Sequence, residues 1–290
     1  MGGNFAGISA ALYLVRARRR VLMFDDGQHR NRFAVRSHGF MGQDGVEPAV
    51  IKAAGVAQLR AYPTFTLIEA QVTGVTPGFS VAWAGGPVVV PRVILASGQR
   101  DVLPDVPGLA DCWGKTANAC PYCHGYEPAD LPTGILLDGN PHAGLYLRQI
   151  RRWAGVLTVF DNVTVLAPET VAVMAELGVA HVSGVLQRLE HEAGHVSAVW
   201  VAGQAEPVRA FYLHSRSEPA APFAAELGCE MTAGPLGPYV TVDAWQRTTV
   251  PGIYAAGDLS RAMPAAIFAA STGATAGLAC DMDLAGLLAP

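Results

Sequence analysis

The pattern of apolar and polar positions repeats one order of segments twice along this chain. A glycine-containing turn over 2–7 leads into a helical pattern over 8–17 and an apolar strand over 21–24. The same order recurs as a strand, a turn, a helical pattern and a strand over 134–138, 139–144, 145–153 and 157–160. Strands that alternate with helices are typical of parallel sheets. The pattern therefore predicts an α/β fold with two Rossmann-like, three-layer nucleotide-binding domains.

Composition limits the classes of function. The 290 residues are 51% hydrophobic, which is enough for sizeable buried cores. Only 15% are charged and the formal net charge is -4, so no basic patch indicates nucleic acid or a membrane surface. No apolar run is long enough to span a membrane, and no export signal opens the chain. We expect a cytoplasmic protein whose partner is a small molecule or another protein.

The first turn matches in part the Gly-x-Gly-x-x-Gly fingerprint of dinucleotide binding. Gly2 and Gly7 fit its outer positions, whereas Asn4 replaces the middle glycine. Asp25 or Asp26, at the end of the following strand, is the acid expected at the ribose. The alternative is an ordinary glycine-rich loop before a helix. Because no strand precedes the turn, we expect an empty central position in the sheet and a truncated start.

Two later segments extend this interpretation. A strand predicted over 88–97 runs into Gly98, and the proline-rich link over 103–108 indicates an exit from the first domain. Near the C-terminus, an apolar strand ends at Gly257-Asp258, and a helix of small residues is predicted over 264–280. The N-terminus of that helix suits a phosphate or the electron-rich edge of a reduced flavin, and the alternative is a core helix.

The segment with the clearest chemistry is Cys120-Pro121-Tyr122-Cys123-His124. This string fits c-type haem attachment, half of a zinc site, or a redox dithiol beside an acid/base group. Haem attachment normally requires export, and zinc requires a second ligand pair at the right spacing, which the sequence lacks. The sequence therefore favours a redox dithiol of Cys120 and Cys123, with His124 moving protons.

The other cysteines and a second literal motif carry less weight. Cys112, Cys229 and Cys280 are scattered, and we expect them to be buried as small apolar side chains. The run 191–195, His-Glu-Ala-Gly-His, matches a zinc-protease pattern, but Gly194 breaks the helix which that pattern needs. Because 196–201 alternates like a strand, a hairpin is predicted there and no metal site is assigned.

In the order of these motifs the chain resembles the low-molecular-weight thioredoxin reductase family of flavoproteins, over essentially its whole length. The likeness rests on the turn at 2–7, the strand at 94–98, the link at 103–109, the cysteine pair and the returning 255–258. More narrowly, the run 120–127, Cys-Pro-Tyr-Cys-His-Gly-Tyr-Glu, looks like the subgroup of gliotoxin- and holomycin-type dithiol oxidases, as do 31–33 and 37–40. His124 stands where ordinary thioredoxin reductases place an aspartate.

The resemblance implies a bound FAD and a homodimer. It also implies that Cys123 faces the flavin, that Cys120 meets the substrate, and that Asp258 holds the ribityl-pyrophosphate region. The residues that it predicts to bind or border FAD are Gly2, Gly3, Asn4, Phe5, Ala6, Gly7, Asp25, Asp26, Asn31, His38, Gln43, Ser97, Gly98, Gly257, Asp258, Ala265 and Ala266.

The second nucleotide turn departs from this family. Pro141 occupies the place of the middle glycine, which removes an amide donor and adds bulk where a pyrophosphate must approach. The next strand ends at Asp161-Asn162 instead of an arginine cluster for a 2′-phosphate. We expect that NADPH is not used, and the alternative is a variant turn that still binds NADPH or NADH.

These expectations combine into one architecture and function. A discontinuous FAD-binding domain, 1–113 and 215–290, encloses an NAD(P)-binding-like domain, 114–214, that carries the cysteine pair. The predicted function is FAD-dependent electron transfer, through Cys120 and Cys123, to or from a small dithiol or disulfide or a thioredoxin-like protein. The alternatives are an NAD(P)H-dependent thioredoxin reductase and a non-catalytic homologue with a binding or regulatory role.

Overall fold

The computed structural model describes residues 1–137, 139 and 142–288. Contacts between Cα atoms divide the chain into two compact units. Unit 1 comprises Met1–Arg32, Phe40–Asp101 and Ser217–Pro290, and unit 2 comprises Phe33–Gly39 and Val102–Arg216. The domain limits predicted at 113/114 and 214/215 correspond to unit limits at 101/102 and 216/217. The first limit lies earlier than predicted because Leu109 and Cys112 are buried in the core of unit 2.

The helices and strands follow one another in short segments. Among the described residues the helices are α1 (Phe5–Arg16), α2 (Pro48–Arg60), α3 (Leu109–Cys112), α4 (Pro121–His124), α5 (Ala143–Ile150), α6 (Pro168–Leu177), α7 (Phe223–Glu226) and α8 (Ala266–Leu284). The strands are β1 (Val21–Phe24), β2 (Phe65–Ile68), β3 (Val72–Thr76), β4 (Ser80–Trp83), β5 (Val88–Val89), β6 (Val93–Leu95), β7 (Gln99–Val102), β8 (Ala117–Asn118), β9 (Thr133–Leu136), β10 (Leu157–Phe160), β11 (Ala180–Val182), β12 (Leu186–Glu192), β13 (His195–Val201), β14 (Gln204–Pro207), β15 (Ala210–Leu213), β16 (Arg216–Pro219), β17 (Met231–Ala233), β18 (Pro238–Val240) and β19 (Ile253–Ala255).

Unit 1 is built around two pairs of short parallel strands. β1 pairs with β2, and β6 pairs with β19. The amino group of Met1 donates to the Ile94 carbonyl oxygen at 2.8 Å, and the Gly2 N–H donates to the Phe24 carbonyl oxygen at 2.9 Å. The central position of the sheet was expected to be empty. At one end of it, Met1 and Gly2 connect the two strand pairs through these hydrogen bonds.

Helices α1 and α8 pack along a seam of small residues. A Cβ at Gly273 would overlap the backbone of Ala6, and a Cβ at Gly277 would overlap the backbone of Ala10. Glycine is required at both positions because the two backbones come this close. Gly273 lies against Ala6 and Gly277 lies against Ala10, so the residue numbers increase in the same direction along the two helices. Helices α1 and α8 are therefore parallel.

The strand predicted over 88–97 is wrong as a single element. β5 joins the antiparallel sheet β3–β4–β5, whereas β6 pairs in parallel with β19. Pro91 lies between them, and proline cannot donate a backbone hydrogen bond to a ladder. The break lets the chain pass from one sheet to the other.

Unit 2 contains a five-stranded parallel sheet in the order β11–β10–β9–β15–β8. One face packs on α5 and α6, in a core that includes Ile135 and Leu147. The other face packs on the sheet β12–β13–β14, in a core that includes Leu136 and Phe211. Burial of both faces explains why these strands are almost continuously apolar. The three layers are those of a Rossmann-like domain.

Two smaller predictions are confirmed. β12 and β13 form the predicted hairpin, in which Glu192 pairs with His195, so no helix carries the His-Glu-x-x-His pattern. Cys112, Cys229 and Cys280 are buried. Among the described residues, no helix is both long and apolar enough to cross a membrane.

Candidate functional site

The cysteine pair lies in unit 2 on a single helical turn. Cys120 immediately precedes α4, and Pro121 is the first residue of that helix, where its missing N–H removes no intrahelical bond. Cys123 is three residues further on, so its side chain returns to the same side of the turn. The two sulfur atoms are 2.8 Å apart and are not joined by a disulfide. Both residues are half-buried, which leaves the pair accessible for thiol–disulfide exchange.

His124 is the last residue of the same helical turn. Its Nε2 is buried and has no hydrogen-bond partner within the part of the chain that the structure describes. Burial lowers the pKa of His124; the charge of Glu127 opposes this effect and that of His38 adds to it. A lowered pKa keeps the imidazole neutral at neutral pH, so it can accept a proton from a thiol.

His38 was predicted to lie on a segment that borders the cofactor. The segment Phe33–Gly39 belongs to unit 2, and the His38 Nε2 lies 3.1 Å from a carboxylate oxygen of Glu127. His38 therefore lies beside Glu127, the last residue of the cysteine motif, and its place at the border of the cofactor stays a prediction. Glu127 was not assigned a role from the sequence, although it ends the motif that begins at Cys120.

The glycine-rich turn of unit 1 is a close-packed cradle at the start of α1. A Cβ at Gly2 would overlap the Ala96 carbonyl group, and a Cβ at Gly7 would overlap the Gly2 carbonyl oxygen. A Cβ at Gly3 would overlap the side chain of Asp25. Phe5 and Ala6, the first two residues of α1, are buried in the core of unit 1. Backbone amides that begin a helix have no intrahelical acceptor, so this turn offers donors to an anion.

Polar residues predicted near the cofactor surround this cradle. Asn4 precedes α1, and its Nδ2 donates to the Asn31 Oδ1 at 2.9 Å. Asp25 pairs with Lys52 at 2.6 Å, and the Asp26 carboxylate accepts from the Gln28 N–H at 2.9 Å. Lys52 lies on α2 and was missed from the sequence, where nothing connects it with Asp25.

The later predicted segments lie in the same unit. The Gly257 N–H donates to the Thr272 hydroxyl at 2.9 Å, and Asp258 lies 3.3 Å from Arg30. Arg30 also forms a two-point ion pair with Asp101. Burial raises the pKa of Asp258, and the Arg30 charge opposes that rise. The other predicted positions of unit 1 are Gln43 in the loop before α2, Ser97 and Gly98 after β6, Ala265 immediately before α8, and Ala266 at its first position.

These residues fit FAD. The cradle excludes any Cβ where a pyrophosphate would approach α1, and the helix supplies free amide donors. The Asn4 Oδ1 and the His29 Nδ1 are buried without a partner among the described residues, and ribityl or ribose hydroxyl groups can donate to them. A cofactor that carries both a pyrophosphate and hydroxyl groups satisfies both features.

In unit 2, the acid that follows the second nucleotide turn and its helix is bound by its own chain. Pro141, on which the prediction against NADPH depends, lies outside the described residues. Asp161, at the end of β10, is buried and accepts from the N–H groups of Val163 and Gly184 at 2.8 and 3.2 Å. Its other oxygen lies 3.0 Å from the His181 Nε2. Despite burial, hydrogen bonds from Ser183, Val163, Gly184 and His181 lower the pKa of Asp161. This carboxylate is already occupied by its own chain.

Known proteins resemble this chain over most of its length. The family model for pyridine nucleotide-disulphide oxidoreductases matches residues 1–156. The chain is similar to the thioredoxin reductase aclD of Aspergillus oryzae, with 28% identity over 98% of this chain and 95% of that protein. A probable thioredoxin reductase of Arthroderma benhamiae is 36% identical over 146 residues, which span 47% of this chain and only 36% of that protein.

A solved structure extends the likeness to the fold. The oxidoreductase from Agrobacterium tumefaciens is 34% identical, with a TM-score of 0.91 over 98% of this chain and 97% of that one. These findings confirm the predicted resemblance to thioredoxin reductase-like flavoproteins, the two-domain α/β fold class and FAD as the cofactor. They also confirm an FAD-dependent oxidoreductase that acts on sulfur groups. The chain belongs to the pyridine nucleotide-disulphide oxidoreductase family.

Proposed function

We propose that this protein oxidises a small dithiol to its disulfide through Cys120 and Cys123. The observation that carries the proposal is the pair of sulfur atoms at 2.8 Å beside His124, whose buried Nε2 has no partner among the described residues. A thiolate attacks a disulfide, so a nearby neutral imidazole that takes the thiol proton raises the fraction of reactive substrate.

The exchange balances in atoms and electrons. One substrate thiol loses its proton to His124 and attacks Cys120 of the Cys120–Cys123 disulfide, which releases Cys123 as a thiolate. The second substrate thiol attacks the mixed disulfide, so the substrate leaves as a disulfide and the protein keeps two thiols. When bound, FAD supplies the two-electron acceptor that returns this pair to the disulfide.

Molecular oxygen is the final electron acceptor in this proposal. One O₂ takes the two electrons and two protons of the dithiol and gives one hydrogen peroxide. Pro141, at the place of the middle glycine of the second nucleotide turn, supports oxygen rather than a pyridine nucleotide as the partner, because it removes an amide donor and adds bulk where a pyrophosphate must approach. Residues 161–162 also lack the arginines that a 2′-phosphate needs.

The deciding experiment is anaerobic stopped-flow spectroscopy of the purified protein. We expect dithiothreitol to bleach the flavin absorbance within seconds, NADPH and NADH to leave it unchanged, and readmitted oxygen to produce one peroxide per disulfide formed. Cys120→Ser should abolish bleaching by the dithiol, whereas Cys229→Ala should not. Rapid bleaching by NADPH but not by dithiols would replace this proposal with a thioredoxin-type reductase. Protein that stays colourless after incubation with FAD would indicate a non-catalytic homologue.

We further propose a cytoplasmic homodimer that binds neither nucleic acid nor a membrane. The likeness to thioredoxin reductase-like proteins supports the dimer, and the formal net charge of -4 supports the absence of a nucleic-acid surface. Sedimentation equilibrium should give twice the mass of the chain, and a mass of one chain would contradict the dimer.

A further inference from the structure

Two buried tyrosine hydroxyls hold the two ends of the redox segment. Tyr146, on α5, donates to the Ala119 carbonyl oxygen at 2.7 Å and also lies 3.3 Å from the Leu213 carbonyl oxygen. Tyr212, on β15, donates to the His124 carbonyl oxygen at 2.8 Å. Ala119 immediately precedes Cys120, and His124 immediately follows Cys123. The two hydroxyls thus contact the backbone on either side of the dithiol.

This arrangement goes beyond what burial of a tyrosine requires. A buried hydroxyl needs one acceptor, but any carbonyl in the core would serve. Here both acceptors flank the same four-residue segment, although the two tyrosines come from different elements of the sheet and its helical layer. The His124 carbonyl also ends a one-turn helix, where carbonyl groups have no intrahelical donor.

Both hydroxyls remain donors while the cysteines titrate. Burial raises the pKa of Tyr146 and of Tyr212 well above the ordinary value, and the charge of Cys120 acts in the same direction on both. The contacts to Ala119 and His124 therefore persist over the pH range in which the thiols react.

We propose that Tyr146 and Tyr212 are positioning residues that hold the Cys120–Cys123 segment in the geometry that lets its sulfur atoms pair. The inference rests on the proposed function of this dithiol. Holding both ends raises the effective concentration of one thiol at the other, which favours the disulfide over two thiols. Loss of either hydroxyl leaves a carbonyl without its donor and lets the segment spread, so the equilibrium moves toward the dithiol.

The test is the anaerobic equilibrium of the full-length protein with glutathione. Without oxygen to reoxidise the dithiol, the pair gains a disulfide only as one oxidised glutathione becomes two reduced molecules. Alkylation and mass spectrometry of the peptide that contains both cysteines give the ratio. We expect Tyr146→Phe and Tyr212→Phe each to lower the equilibrium constant for disulfide formation about fivefold, the size of one hydrogen bond. The double variant should lower it further.

Two controls separate positioning from general loss of stability. Tyr239→Phe removes a hydroxyl from unit 1 and should leave the constant unchanged. Val199→Ala opens a cavity in the core of unit 2 and should lower the unfolding temperature without changing the constant. If both tyrosine variants exchange like the wild type, or if Val199→Ala changes the constant as they do, the positioning role is wrong. If wild-type protein forms no disulfide with glutathione at all, the proposed function itself fails.

Discussion

A turn–helix–strand pattern recurs in both units, but the unpartnered polar atoms of the described residues lie beside different groups in the two units. In unit 1, Gly2 and Gly7 leave no space for a side chain, and buried acceptors remain without partners among the described residues. In unit 2, Asp161 satisfies its own backbone and His181. Among the described residues, unit 1 thus keeps unpartnered acceptors on Asn4 and His29, near its glycine-rich turn, whereas unit 2 keeps one on His124, beside the dithiol.

The largest expected effect comes from replacing a glycine at the equivalent position of each turn by alanine. Gly7 and Gly144 are the last glycines of their turns, but a Cβ at Gly7 meets a backbone carbonyl and a Cβ at Gly144 meets only the Val173 side chain, at 3.3 Å. We expect Gly7→Ala to destabilise unit 1 by roughly 1–3 kcal/mol and to lose FAD, because backbone cannot move aside as a side chain can. Gly144→Ala should keep FAD. Equal flavin content in the two purified variants would remove the distinction between the turns.

A smaller effect is expected at Asp161. Asp161→Asn removes the charge that its backbone donors and His181 stabilise, and we expect it to lower the free energy of unfolding by about 2 kcal/mol without creating NADPH binding. Urea unfolding and NADPH titration measure the two quantities.

The pH dependence of that loss has a defined sign. Because the pKa of Asp161 is lower in the folded chain, its contribution is present above the unfolded pKa and is lost as pH falls through the folded pKa. The difference between wild type and Asp161→Asn should therefore shrink in acid. Asp105→Asn, at an exposed position of unit 2, is the matched control and should change nothing.

The smallest effect concerns His124, the proposed proton carrier. Glu127 raises the pKa of His124 against the effect of burial, so Glu127→Gln should lower that pKa further. The acid limb of the rate of flavin reduction by dithiol should then move to lower pH, since the imidazole stays neutral in more acidic solution. Glu169→Gln, on the exposed side of α6, should leave the profile unchanged. A shift to higher pH in Glu127→Gln would contradict the role of His124 as base.

What could be predicted from the sequence depended on how local the interaction is. The turn at 2–7, the strand over 21–24 and the hairpin near 191–195 depend on residues that are neighbours in the sequence, so the sequence predicts them. The continuous strand over 88–97 failed because one proline moves the chain between two sheets.

Contacts between distant residues left no signal to find. Tyr212 donates to the His124 carbonyl oxygen, Lys52 forms an ion pair with Asp25, and His38 contacts Glu127. Nothing in the sequence between the two members of each pair predicts the contact. The chemistry of the cysteine motif was readable, but the groups that hold and tune it were not.

The contact between α1 and α8 fixes how far the two helices are shifted along each other. Because Gly273 faces Ala6, α1 begins one residue before this crossing and α8 begins seven residues before it. Both helices point the same way, so the start of α8 extends about 9 Å beyond the start of α1. The positive N-terminal ends of the two helices are thus held at different positions along the common axis, because only glycine fits at residues 273 and 277. A larger side chain at Gly273 or Gly277 would change the distance between these two ends.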